Sequence, residues 1–156
     1  MPNKYLLLFT LITYSVVVSQ SFMYILALKD VQLNLGANAY IELRKLIDLN
    51  MNGLFKYVMY VALFSSILLV ISTIKNPGSV VFITSAIALV ALIIDVVIAL
   101  KGNIPLNNLI STWSADKYPD DWETVRKQWF AFFQYRQIAN IIGFISLAIG
   151  AVFGNK

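Results

Sequence analysis

The sequence predicts an all-α membrane protein, a four-transmembrane-helix up-down bundle with an amphipathic helix in loop one and a short helix in loop three. Three observations predict it. Apolar runs at about 5–28, 54–74, 79–100 and 128–153 are each long enough to cross a bilayer. Charged residues make up 13% of the chain and hydrophobic ones 59%, with a mean hydropathy of +0.74, whereas about a quarter of the residues in a soluble domain are charged. The connections are short turns or amphipathic segments, which favours antiparallel neighbours. At 156 residues a single integral membrane domain is expected.

The net charge of +4 does not point to nucleic acid. The bases are spread over short loops, where in a membrane protein they set topology and touch lipid headgroups. Membrane lipid is therefore the expected partner. The chain has no cysteine and no histidine, so a disulfide, or a haem or zinc site built on those residues, is excluded within it. No metal and no cofactor are expected.

The first run, 5–28, follows Lys4 and is worth roughly 36 Å of helix. Val17-Val18-Ser19 offers a small-residue cleavage pattern, but the apolar run continues past Ser19, so it reads as a retained span. Thr13, Val17, Gln20, Tyr24 and Leu28 share one face by three-four spacing. That polar-tinged face serves either helix–helix packing or the lining of a pocket.

Residues 29–52 are polar enough to leave the membrane. Leu35-Gly36-Ala37-Asn38 reads as a break. From Ala39 the positions Tyr40, Leu43, Leu46 and Ile47, with Glu42, Arg44, Lys45 and Asp48 elsewhere, describe an amphipathic helix lying in the interface or capping the bundle. Asn50, Asn52 and Gly53 lead into the second span. Lys75-Asn76-Pro77-Gly78 closes it as a tight turn. The third span carries one charge, Asp95. A carboxylate inside a span is costly unless paired or wet.

Pro105 is expected to limit the helix before it, bracketed by Asn103, Asn107 and Asn108. Ile104, Leu106, Leu109, Ile110 and Trp113 form a short amphipathic piece, and residues 114–118 a loop. Pro119-Asp120-Asp121-Trp122-Glu123 reads as a helix start capped by Asp120 or Asp121. That helix runs unbroken to about Phe153. Trp122, Arg126, Trp129, Phe133, Arg136, Asn140 and Gly143 line one of its faces, which must meet protein or a cavity. Asp95 and Arg136 lie at similar depths and are expected to meet.

Both termini then share one side of the membrane. Most bases, from Lys29, Arg44 and Lys45 to Lys117, Arg126 and Lys127, fall near loops one and three, against Lys4, Lys75 and Lys156 opposite. The positive-inside rule places the two long loops in the cytoplasm.

At Asn103-Ile104-Pro105-Leu106-Asn107-Asn108, followed by Trp113, Asp121-Trp122, Trp129 and Arg136, the chain resembles the anthrone oxygenase-like family of small four-span membrane proteins. Members carry an Asn-x-Pro-x-Asn element after the third span, and a Trp and an Arg about seven residues apart opening the fourth. The resemblance covers nearly the whole chain and is most specific from Asn103 to Arg136. It implies the four-span fold and, from the few members with an associated activity, oxidation of anthrones to anthraquinones without a cofactor. The chain differs from many relatives in lacking histidine and in the acidic segment 118–123.

The residues support such chemistry in a pocket at the end of the bundle near loops one and three. Arg136 can stabilise a phenolate or enolate. Asp95 is its counter-ion or a base. Asn103, Asn107, Gln20 and Asn140 offer hydrogen bonds, and Tyr24, Trp129 and Phe133 offer walls for a planar ligand. Three functions compete: an oxidoreductase acting on a lipophilic aromatic, a non-catalytic subunit or partner-binding protein of a larger membrane assembly, and a transporter. The last is disfavoured by a single acidic intramembrane residue and no inverted repeat.

Overall fold

The computed structural model describes residues 4–114 and 116–154, so the expected opposite-side base Lys156 lies outside the described residues. The chain is all-α. Among the described residues seven α-helices follow in order: α1 (Lys4–Met23), α2 (Lys29–Leu33), α3 (Ala37–Asn50), α4 (Lys56–Thr73), α5 (Val80–Ile98), α6 (Ile104–Ser111) and α7 (Trp122–Phe153). Three π-helical turns, Tyr24–Leu28, Met51–Phe55 and Ala99–Asn103, join α1 to α2, α3 to α4 and α5 to α6. Among the described residues the result is four rods long and apolar enough to cross a membrane, Lys4–Leu33, Ala37–Thr73, Val80–Ser111 and Trp122–Phe153. This is a multi-pass membrane protein.

The side chains confirm the solvent it is built for. Leu8, Phe9, Ile12, Phe64, Ile71, Ile94, Ile138 and Ile149 point outward and are exposed, while Thr10, Ser65, Ser66, Ser85, Gln137 and Asn140 are buried. An apolar exterior over a polar-flecked interior suits lipid. Several buried hydroxyls are satisfied within their own helices. Thr10 donates to the Leu6 carbonyl (2.8 Å), Ser66 to Ala62 (2.7 Å) and Thr84 to Val80 (2.8 Å).

Helix α1 packs on α4 and α7, and α5 also packs on α4 and α7, closing an up-down ring. The α5–α7 seam is the most intimate, and small residues make it so. A side chain at Gly143 would overlap the Tyr14 hydroxyl and meet Ala91 Cβ, and one at Gly150 would strike Thr84. The core of this half is Leu7, Tyr14, Val17, Leu69, Leu92 and Leu147.

Two expectations about elements are corrected. Pro105 does not end a helix: the chain continues from α5 into α6 through the π-turn Ala99–Asn103, with proline in the first turn of α6. At that position proline's missing N–H and ring are tolerated. Asp120 and Asp121 do not cap α7: Asp121 is the N-cap residue, but among the described residues no side-chain hydrogen bond closes that end, and the Asp121 carbonyl instead accepts from Thr124 N (2.8 Å). The amphipathic helix α3 takes the second of its two expected placements, over the end of the bundle. It bends over the bundle at Gly53, whose ψ of −114° is non-helical. Among the described residues the cap that does form is Ser79, whose hydroxyl accepts from Phe82 N at 3.2 Å.

Candidate functional site

The three π-turns sit together at the end of the bundle near loops one and three. Their effect is clearest on the third rod. Along an ideal α-helix, positions 95 and 107 are about 120° out of line after three turns. A π-turn holds one extra residue and takes back about 100° of that drift. Asp95, Asn103 and Asn107 can therefore all address α7.

They address it at successive levels. Deepest is Asp95, fully buried, whose Oδ1 accepts from Arg136 Nε at 2.7 Å. The predicted pairing is thus formed. Arg136 Nη1 also donates to Asn103 Oδ1 (3.4 Å), and Asn103 Nδ2 donates to the Trp129 carbonyl (2.9 Å). Above these lies an aromatic wall. Trp129 and Phe133 stack with centroids 5.0 Å apart and planes at 17°, and Tyr24 packs 4.5 Å from Phe133.

The outermost level is one network. Asn107 Oδ1 accepts from Trp129 Nε1 (2.7 Å) and from Arg44 Nη2 (2.9 Å). Two donors on that oxygen fix the amide's orientation, so Asn107 Nδ2 faces and donates to Asp48 Oδ1 (2.7 Å). The Arg44 guanidinium lies 3.8 Å above the Trp129 ring and donates through Nη1 to the Tyr24 hydroxyl (3.1 Å). Gln32 Nε2 donates to that same hydroxyl (3.1 Å).

Between these levels is a cavity of about 370 Å³. Seven of the expected site residues line it: Gln20, Tyr24, Asn103, Asn107, Trp129, Phe133 and Arg136. Two do not. Asp95 is sealed beneath Arg136, and Asn140 is buried one turn deeper on α7. Asp95 therefore holds Arg136 as counter-ion and does not face the cavity as a base. Among the described residues, Gln20 Nε2, Arg44 Nε, Asp95 Oδ2 and Asn140 Oδ1 are buried without a hydrogen-bond partner.

Two charged cavity residues were missed by sequence reasoning. Arg44 and Asp48 were assigned to the polar side of α3, yet Arg44 is only 3% exposed and both line the cavity. The signal was present: Tyr40, Arg44 and Asp48 repeat at i, i+4, the face on which Tyr40 is buried. Arg126, from the α7 stripe, serves elsewhere. It donates to the Gln32 and Leu35 carbonyls (3.2 and 2.9 Å) and lies 4.5 Å over Trp122, stapling the α2–α3 connection to α7.

Compared with protein-family models, with curated proteins and with solved structures, the chain finds no match.

Proposed function

We propose that the chain is a membrane-embedded, anthrone oxygenase-like protein that binds a planar lipophilic aromatic in this cavity and oxidises it with dioxygen, without a cofactor. The observation that carries the reading is the coincidence, in one cavity, of a stacked aromatic wall and a guanidinium. A flat ring system rests against Trp129 and Phe133. Arg136, held by Asp95 and Asn103, offsets negative charge as it develops on the substrate oxygen, and a site preorganised in this way needs no rearrangement during reaction. For a methylene flanked by two aryl rings the balance is simple. Its two hydrogens are lost, one oxygen atom of dioxygen becomes the new carbonyl, and the other leaves as water.

A second reading has its own support. Asn103, Asn107, Trp129 and Arg44 are largely paired with one another, which suits a chain whose polar end merely locks helices together within a larger membrane assembly. The cavity is what that reading does not require. The test is oxygen uptake by the purified protein presented with a panel of anthrones and hydroquinones. Uptake above the spontaneous rate that is lost in Arg136→Ala supports the enzyme. Equal uptake by wild type and Arg136→Ala removes it.

A further inference from the structure

Two carboxylates lie near the cavity, and only one of them can receive a proton from its contents. Asp95 is fully buried, does not line the cavity and has Arg136 in front of it. Asp48 is half-buried and lines the cavity.

Asp48 also has a second side. A groove of about 360 Å³ runs between α3 and α6, lined by Lys45, Leu49, Ile110 and Ser111. Arg44, Asp48, Asn52 and Asn107 line both spaces. These four side chains form a polar partition between cavity and groove, and the carboxylate is its one group able to take up a proton. Asn107 Nδ2 and Asn52 Nδ2 hold its two oxygens at 2.7 and 3.2 Å.

Charge fits the same picture. Arg44 is a buried guanidinium that has no ion-pair partner among the described residues; it is held by Tyr24, Asn107 and the Trp129 ring. With Asp48 ionised, the Arg44–Asp48 and Arg136–Asp95 charges in and around the cavity sum to zero. A ligand that ionises in the cavity keeps that balance while its proton rests on Asp48, and once the proton has left through the groove its anion has the Arg44 and Arg136 side chains, both lining the cavity, as counter-charges.

We propose that the cavity takes an aromatic compound bearing an ionisable hydroxyl and binds it as its anion, with Asp48 as the proton acceptor and the α3–α6 groove as the proton's exit. In this step the ligand O–H bond breaks and its electron pair stays on oxygen as an aryloxide. The proton bonds to an Asp48 carboxylate oxygen and then passes to water in the groove. No electron is transferred, so the step needs no oxidant. The inference rests on the reading of the cavity as an aromatic site.

The probe is 2-hydroxyanthraquinone, whose absorption shifts to longer wavelength on ionisation. It is titrated anaerobically into the purified full chain in detergent, in weak buffer at a pH where the free probe is neutral. Wild type is expected to bind it saturably with the long-wavelength band and to release protons to the medium on binding. Asp48→Asn is expected to bind it with the neutral band and no proton release, and Asp48→Glu to restore both. An undiminished long-wavelength band in Asp48→Asn overturns the assignment of Asp48 while leaving the aromatic site standing. Failure of wild type to bind the probe saturably overturns the aromatic site and this inference with it.

Discussion

The two ends of the bundle use the same helices by opposite means. Near the 75–78 turn, α5 and α7 touch through glycine, alanine and hydroxyl side chains, and the core is aliphatic with Tyr14. At the other end all three interrupted rods pass through π-turns, and the interior holds guanidinium groups, carboxylates, amides and aromatic rings around a cavity. The first end is close-packed and locally regular, which is what stability favours. The second accepts irregular turns and buried polar groups, some of whose atoms lack a partner among the described residues, features that cost stability and gather at functional sites. On the proposed function, the difference gives stability to one end and binding to the other.

The sharpest way to test that division is at its border. Arg136→Ala leaves Asp95 fully buried without its cation, and loss of one partner from a buried pair costs about 3–5 kcal/mol. The midpoint of thermal unfolding in detergent should fall accordingly. The double variant Asp95→Asn/Arg136→Gln should recover most of that loss because no charge is left unpaired. It should not recover ligand binding. Recovery of both would mean that the Asp95–Arg136 pair is structural and takes no part in binding.

At the tight end the corresponding change is Gly143→Ala. The added methyl overlaps the Tyr14 hydroxyl and meets Ala91, and Tyr14 is fully buried with no free direction in which to swing. Overpacking of this kind costs about 1–3 kcal/mol. Unfolding should show the loss while saturable binding of an aromatic probe persists in the folded fraction. A variant that unfolds normally but no longer binds would contradict the division.

How much of this was legible in the sequence follows from the physics of each residue. Hydropathy and the 3.6-residue period are local properties, so the four rods, the unbroken α7 and its stripe from Trp122 to Gly143 could be read directly. The Asp95–Arg136 pair was legible because a lone intramembrane carboxylate demands a cation at its own depth. The π-turns were not. An extra residue in a helix leaves no mark in composition, and the tertiary contacts of Asn103 and Asn107 with α7 are what reward it. Arg44 and Asp48 were missed for the converse reason. Their spacing was visible, but on an amphipathic helix charge is ordinarily read as the wet face, and only the bend at Gly53 turns it inward.

The smallest effects test the comparison at the helix starts. Each end of the bundle has one N-terminus suited to capping, Ser79 for α5 at the tight end and Asp121 for α7 at the cavity end. The residue types alone rank them as equals. The geometry does not. Ser79 has extended backbone (φ −71°, ψ 146°) and its hydroxyl accepts from Phe82 N, whereas Asp121 (φ −89°, ψ 17°) turns its carbonyl, not its side chain, to the first free amides. Ser79→Ala should therefore lower stability by about 1 kcal/mol. Asp121→Ala removes only a screened attraction to the helix dipole and should cost no more than about 0.5 kcal/mol. Equal losses would mean that Asp121 closes its helix in solution. The cavity end would then be locally as regular as the tight end, and the π-turns would be its only departure from ordinary helix construction.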